Sequence, residues 1–233
     1  MTRERALQTA MGLADAGGIG SLSMRKLAAE LGIEAMSLYH HVRSKEDILD
    51  GMVDIVFSEM ELPLPGEEWK TAMRRRAEST RAVLAKHPWA IGILDSRTSP
   101  GTATLRYLDT VIAFLRAAGF SIAMAAHALS VLDSYVRGFA MQEASLPLDQ
   151  SGSIEAATES ILEQQHMMSN AFPHLGEMAA ELILKPGYAY GNEFEFGIGL
   201  ILDGLDGALA GEGAEAARNA PTGAGSAASP TVG

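Results

Sequence analysis

Apolar residues recur every three or four positions along most of this 233-residue chain, in segments that glycine or proline separates. This spacing gives a helix one apolar stripe, whereas a half-buried strand alternates apolar and polar residues. No convincing alternation occurs, so the sequence predicts an all-α fold. Predicted helices cover about residues 3–16, 24–31, 35–41, 44–60, 67–86, 88–95, 101–118, 121–146, 153–171 and 190–210, with a short extra turn or two within 172–189.

Proline and glycine also divide the chain into parts. The stretch LPLPGEE at 62–68 is the clearest boundary. From 211 onward the residues are small and polar, and such a segment cannot bury enough surface to offset its ordering entropy. We expect an N-terminal three-helix unit at 1–46, a connecting helix at 47–61, a larger helical domain at 62–210 and a disordered tail at 211–233.

Composition excludes several classes of protein. The chain has no cysteine, so it forms neither disulfides nor cysteine-ligated metal sites. The N-terminal sequence MTRERALQTA lacks the apolar core of a secretion signal. The run FGIGLIL at 196–202 is far shorter than the roughly 18 apolar residues that a membrane span needs. A soluble cytoplasmic protein without a membrane partner is expected.

The net charge of −11 argues against a general binder of polyanions. The charge is unevenly distributed: residues 1–50 hold six basic and seven acidic residues, and residues 51–233 hold twelve and 22. Any contact with a nucleic acid should therefore lie in the N-terminal part and be local.

The predicted helices at 24–31 and 35–41, joined by GIE, have the spacing of a helix-turn-helix. Leu38 and Val42 would hold the second helix to the core and leave its polar face free for a DNA major groove. Arg25 could reach a guanine edge with two hydrogen bonds. By spacing alone, DNA binding and a chance pair of helices are equally good interpretations.

The segment SLSMRKLAAELGIEAMSLYHHVRSKEDILDGMVD, residues 21–54, resembles the DNA-binding segment of the tetracycline repressor family. Further resemblance lies at 66–69, 112–121, 128–139 and 194–209, in the order and spacing of that family's ligand-binding domain. The matched positions of the DNA-binding pattern are Arg25, Lys26, Leu27, Ala28, Gly32, Ile33, Leu38, Tyr39, His41, Val42 and Lys45.

The resemblance implies a homodimeric transcriptional repressor that binds a palindromic double-stranded DNA operator and releases it when a small-molecule effector enters the C-terminal domain. Three recognition-helix positions depart from the prototype, namely Ala35, Met36 and His40, so the operator sequence is open. The predicted DNA-binding residues are Ser23, Arg25, Ala35, Met36, Ser37, Tyr39, His40, His41 and Lys45.

Two predicted helices, 121–146 and 190–210, are apolar nearly all round. The second contains Gly197, Gly199, Gly204 and Gly207, each of which costs a helix roughly 1 kcal/mol relative to alanine. Such glycines indicate close approach by another helix. The resemblance implies that these two helices form a four-helix dimer interface, and an ordinary intrachain core is the alternative.

For the effector, the resemblance suggests a cavity in the second domain, and packing or surface roles are the alternative for each candidate residue. Ile93 stands where the prototype has a metal-binding histidine, and Gln142 stands near its glutamate, so a magnesium–tetracycline complex is not expected. We expect no metal or cofactor, and an acidic or carbonyl-bearing ligand. The predicted effector-binding residues are Arg76, Trp89, Arg97, Tyr107, Val111, Tyr135 and Met141.

Two rival functions are a helical enzyme and an interaction module without DNA binding. No His-x-x-x-His, glycine-rich phosphate loop or G-x-S-x-G motif occurs, which argues against an enzyme. The intact Arg25, Tyr39, His41 and Lys45 argue against the interaction module.

Overall fold

We analysed a computed structural model, which describes residues 1–146 and 171–219. Within these two ranges the chain contains helices and no strand, which confirms the prediction of an all-α fold. None of the helices described is both long and apolar enough to cross a bilayer. The α-helices are α1 (Arg3–Gly17), α2 (Met24–Glu30), α3 (Ala35–Leu38), α4 (Lys45–Glu59), α5 (Trp69–Lys86), α6 (Thr102–Ala117), α7 (Ile122–Ser145), α8 (Pro173–Met178) and α9 (Asn192–Asn219).

Most predicted helices are present within two or three residues, and three differ. Helix α3 ends at Leu38, not near 41, because the following chain tightens into a turn in which the His41 amide bonds to the Leu38 carbonyl at 2.9 Å. The predicted helix at 88–95 is replaced by two 3-10 turns, Pro88–Ala90 and Leu94–Ser96. Gly92 lies between them, and glycine is a poor helix former.

The third difference is at the C-terminus. Helix α9 continues to Asn219, so the first nine residues of the tail predicted to be disordered are helical. Their sequence, GEGAEAARN, contains alanine, glutamate and arginine, which favour helix. Residues 220–233 and nearly all of the predicted helix at 153–171 lie outside the described residues. The expected extra turn within 172–189 is present as α8, which continues into a π-helical turn, Ala179–Ile183.

Helices α1, α2 and α3 form a small bundle whose ends follow local chemistry. The Ser23 hydroxyl accepts the Lys26 amide at 3.2 Å and so begins α2. Gly32 adopts a φ of 69°, the left-handed conformation that lets the chain turn toward α3. Leu38 and Val42 are buried, as predicted, and Leu27 joins them in the core. The short α3 is therefore held by its neighbours.

Helix α4 begins with a reciprocal cap. The Ser44 hydroxyl accepts the Asp47 amide at 3.1 Å, while the Asp47 carboxylate accepts the Arg43 amide at 2.9 Å and pairs with Arg3 of α1 at 2.8 Å. Burial raises the pKa of the Asp47 carboxyl, but the hydrogen bonds and charges of Arg3 and Arg43 outweigh it and leave that pKa below its usual value. This cap fastens the start of α4 to α1.

The same helix is fastened to the larger domain along its polar face. Arg97 donates from Nε to Asp50 and from Nη2 to Glu46, both at 2.6 Å. One helical turn further on, the Asp54 carboxylate accepts the amide and hydroxyl of Thr104, at 2.8 and 3.0 Å. Asp54 therefore supplies the N-terminal cap of α6. Apolar residues of α4 pack against both α1 and α6.

A second joint connects the end of α1 to the larger domain. Asp15 accepts the Trp89 indole N–H at 2.6 Å and lies 2.7 Å from Nδ1 of His87. The other ring nitrogen of His87 lies 3.2 Å from Glu59, at the end of α4. His87 and Trp89 are buried, so this joint is enclosed between the two domains.

The glycines of α9 fall into two groups. At Gly197, a Cβ would overlap the Tyr135 hydroxyl, which donates to the Glu193 carbonyl at 3.0 Å. The predicted close approach is thus confirmed there, and it is an approach by α7 of the same chain. At Gly204 and Gly207 a Cβ would meet no atom of the described part of the chain within 4 Å.

We expect Gly197→Ala to weaken the contact between α7 and α9, because the added methyl group must displace the Tyr135 ring. The free energy of unfolding should fall by about 1–3 kcal/mol, as is usual for overpacking. Urea unfolding followed by circular dichroism measures this change. Gly12→Ala is the matched control: Gly12 lies on α1 with open space around it, and there alanine should stabilise the helix by up to about 1 kcal/mol. Equal effects of the two substitutions would contradict the assigned contact.

Candidate DNA-binding surface and effector cavity

The predicted DNA-binding residues lie at the starts of three consecutive helices, α2, α3 and α4, and in the turn that follows α3. Met36 has 73% of its surface exposed and Tyr39 has 47%, unusually high values for large apolar and aromatic side chains. Ala35 differs, because it is half-buried and packs against the core. The other predicted residues are exposed: Ser23, Arg25, Ser37, His40, His41 and Lys45.

This arrangement suits a recognition helix. Leu38 and Val42 anchor α3 from below, so its remaining side chains need no burial of their own. The Ser23 hydroxyl already accepts a backbone amide, although its own hydrogen is free to be donated. Arg25 and Lys45 supply exposed positive charge in a chain that is acidic overall. The surface can thus offer donors to phosphates and base edges.

A cavity lies in the second domain, between α4, α5, α6 and α7. Its free volume is only about 10 Å³, room for about one water molecule. Two of the seven predicted effector-binding residues line it, Arg76 and Tyr107. The rest of the lining is Phe57, Met60, Thr80, Leu94, Asp133 and Arg137.

Arg76 dominates this cavity. Only 3% of its surface is exposed, and its Nη2 donates to Asp133 at 2.7 Å. The guanidinium carbon lies 5.1 Å from the centre of the Tyr107 ring, a cation–π contact. The Nε of Arg76 is buried and has no hydrogen-bond partner among the described residues. An unsatisfied buried donor costs about 1–3 kcal/mol.

The rest of the lining is partly polar and partly apolar. The hydroxyls of Thr80 and Tyr107 lie 3.4 Å apart. Burial raises the pKa of the Tyr107 phenol, although Arg76 acts in the opposite direction. The Phe57 ring lies 5.4 Å from the Tyr107 ring, centre to centre. The cavity thus combines two aromatic rings, tilted against each other, with a buried cation.

Five predicted effector-binding residues do not line this cavity. Trp89 bonds to Asp15 in the inter-domain joint, and Arg97 pairs with Asp50 and Glu46 on α4. Both were expected at the cavity from the resemblance to the prototype's ligand-binding domain. The two 3-10 turns of this segment place them against α1 and α4 instead. Val111 belongs to the core, Tyr135 bonds to backbone carbonyls of α9, and Met141 is exposed.

The sequence contains a signal for the buried arginine. Arg76 lies four residues after Ala72 and four before Thr80, so it falls on the buried face of α5, directly after two arginines, Arg74 and Arg75, that are partly exposed. A charged residue in such a register is seldom buried without a partner or a function. No comparable signal in the sequence identifies Asp133 as its partner, because 57 positions separate the two residues.

Comparison with known proteins agrees with this geometry. Residues 6–52 match the family model for bacterial regulatory proteins of the tetR family, and residues 62–209 match the model for the tetracyclin repressor-like C-terminal domain. The HTH-type transcriptional repressor DrrR1 of Streptomyces coeruleorubidus is 30% identical over 213 residues, which cover 88% of this chain and 77% of DrrR1. The tetracycline repressor class A from transposon 1721 of Escherichia coli is 28% identical and covers 85% of this chain and 88% of that protein.

Solved structures are similar over the whole fold. The TetR family protein ActR of Streptomyces coelicolor, without ligand, superimposes with a TM-score of 0.72 at 28% identity, covering 92% of this chain and 98% of ActR. ActR in complex with actinorhodin superimposes with a TM-score of 0.70, covering 90% and 98%. Two family models that together span most of the chain, and a repressor of 30% identity, settle the assignment. The chain belongs to the tetracycline repressor family of transcriptional regulators.

Proposed function

We propose that the chain is a homodimeric repressor that binds a palindromic operator through α2 and α3 and releases it when a small molecule enters the cavity around Arg76. The observation that carries this proposal is the position of α4. Its first residue is Lys45, next to the exposed residues of α3, and its end contributes Phe57 to the cavity, followed by Met60. A ligand in the cavity therefore acts on the helix that borders the DNA-binding surface.

The family fixes the broader class. The chain is a DNA-binding transcriptional regulator and not an enzyme. The relatives support the finer proposal: DrrR1 is described as a repressor, and ActR has been solved with actinorhodin bound. A regulator that works on an operator acts where the chromosome is, so we propose a cytoplasmic location.

In the proposed complex, some side chains read the base sequence and others position the protein on the DNA backbone. Arg25 is suited to a guanine edge, which accepts two hydrogen bonds, and Met36 to a thymine methyl group. Ser37 adds a hydroxyl beside them. Tyr39, His41 and Lys45 are donors suited to phosphates, which hold the protein in register without reading the sequence.

The small volume of the cavity suggests how an effector would release the protein from DNA. Small-molecule sites usually measure about 300–1,000 Å³, and this cavity holds about 10 Å³. An effector can enter only if the walls separate, and part of the wall is formed by Phe57 of α4. The ligand then has a higher affinity for the open state than for the closed one, which is the condition for shifting an equilibrium. We propose that the closed state is the one that binds DNA.

The proposed dimer uses the outer faces of α7 and α9. Phe196 and Leu200 of α9 are 67% and 60% exposed, and Val131 and Ile122 are exposed on α7. Gly204 and Gly207 continue this surface toward the end of α9, and no described residue would lie within 4 Å of a Cβ at either position. Large apolar side chains in that number are typical of an interface that a second copy covers.

The first test concerns DNA. We expect the protein to bind the DNA upstream of its own gene and to protect two half-sites about one helical turn apart, roughly 34 Å. Lys45→Ala should weaken binding and reduce the slope of log affinity against log salt concentration by about one, because one phosphate contact is lost. Fluorescence anisotropy at several salt concentrations measures both quantities.

Lys185→Ala is the matched control for this test. Lys185 is an exposed lysine of the C-terminal domain that pairs with Glu181, and its loss should leave operator binding unchanged. If the two lysine variants weaken binding equally, the contact is general electrostatics and not a docked α4. If the unaltered protein binds no DNA, the proposed function is wrong.

The second test concerns the dimer. We expect Leu200→Asp to produce monomers, since it places two carboxylates in an interface that would otherwise be apolar, and to abolish operator binding with them. Sedimentation velocity measures the oligomeric state. Leu105→Asp is the control, because Leu105 is similarly exposed but lies on α6. A Leu200→Asp protein that sediments as a dimer would remove this surface from the proposal.

A further inference from the structure

The guanidinium of Arg76 is only partly satisfied. Asp133 binds one corner of it, Nη2, through a single oxygen, Oδ1. The adjacent donor on the same edge, Nε, is buried, and no acceptor in residues 1–146 or 171–219 bonds to it. A carboxylate that accepts from both donors of such an edge forms a stronger and more directional pair. The guanidinium edge of Arg76 that faces Asp133 therefore has one bonded donor, Nη2, and one donor, Nε, that remains available to a ligand.

We propose that the effector is a planar aromatic compound with a carboxylate group, and that this carboxylate replaces Asp133 as the partner of Arg76. This inference rests on the proposed function, since it names the class of ligand for the same cavity. In the ligand-free protein Asp133 is the internal counter-ion of Arg76. In the complex, the ligand carboxylate accepts from Nε and Nη2 together, and the ligand ring lies against Tyr107 and Phe57.

The surroundings of Arg76 favour an anion over a neutral ligand. A neutral ligand that displaced Asp133 would leave a buried guanidinium without a counter-charge, which is costly in a dry site. An anionic ligand keeps the charge balanced. The displaced Asp133 lies four residues before Arg137 on α7, and both line the cavity, so a cation is near when the carboxylate leaves Arg76.

The residues that line the cavity are the reason for proposing an aromatic ligand. The guanidinium of Arg76 already lies over the ring of Tyr107, and the Phe57 ring is beside that ring. Met60 and Leu94 complete an apolar lining that adapts to a flat ring system. Because Phe57 lies on α4, a ring that inserts against Tyr107 must move that helix.

The experiment compares acids with their neutral isosteres. The probes are naphthoate and anthraquinone carboxylate, each paired with its carboxamide, and binding to the full-length protein is measured by isothermal titration calorimetry. We expect each carboxylate to bind at least about tenfold more tightly than its amide, the difference that one charge-assisted bidentate pair produces. Asp133→Asn should tighten carboxylate binding further, because the competing counter-ion is gone.

Three variants separate the charge effect from misfolding. Arg76→Gln should abolish the preference for the acid, but it leaves Asp133 unpaired and can unfold the protein. The double variant Arg76→Gln, Asp133→Asn removes both charges together, and it should fold and bind acid and amide equally. Arg74→Gln is the matched control: Arg74 lies on α5, is partly exposed and pairs with Glu195, so this variant should keep the preference.

Operator binding, measured in the same samples, distinguishes a failure of the anionic-ligand inference from a failure of the proposed repressor function. If the carboxamides bind and release DNA as well as the acids do, the anionic-ligand inference is wrong and the repressor function stands. The inference is also wrong if neither acid binds at about 1 mM, or if the double variant keeps the preference. Failure of the unaltered protein to bind upstream DNA would instead overturn the proposed function.

Discussion

The packing of α4 between α1 and α6 is the constraint on which the rest of the molecule depends. Its apolar face is shared by both domains, and its polar face is fixed by charge: Arg97 pairs with Asp50 and Glu46, and Asp54 caps α6. A helix held on two sides behaves as a rigid connector, so a displacement at one end is transmitted to the other. The reciprocal cap at Ser44 and Asp47 adds rigidity at the end that borders α3.

The cavity shows how stability and function can oppose each other. Arg76 is buried with one ion pair, one aromatic contact and one unsatisfied donor, an arrangement that hydrophobic residues of similar volume could replace without loss of stability. A buried donor with no partner among the described residues calls for an explanation, and a role in ligand binding supplies one. The second joint, around Asp15 and His87, has a different character, because its donors and acceptors pair across the two domains within bonding distance.

Local features of the fold could be predicted from sequence, and long-range polar contacts could not. The caps at Ser23 and Ser44 and the left-handed Gly32 depend on a few adjacent residues, so their patterns suffice. The exposure of Met36 and Tyr39 followed from the register of Leu38 and Val42. The partners of Asp15 and Arg76 lie 57 to 74 positions away along the chain, and no local pattern encodes them. Trp89 and Arg97 do not line the cavity, because the geometry of the 88–96 segment places them against Asp15 and α4.

The cap that Asp54 supplies to α6 has a consequence for evolution of the chain. Position 101, just before α6, is glycine, and any Cβ there would collide with the Asp54 carboxylate. Aspartate at 54 and glycine at 101 therefore form a coupled pair. A side chain at 101 would displace the Asp54 carboxylate, and the amide and hydroxyl of Thr104, in the first turn of α6, would then lose their acceptor. Homologues that vary one of these positions should vary the other, and a serine, threonine or aspartate at 101 would be the natural replacement for the lost acceptor.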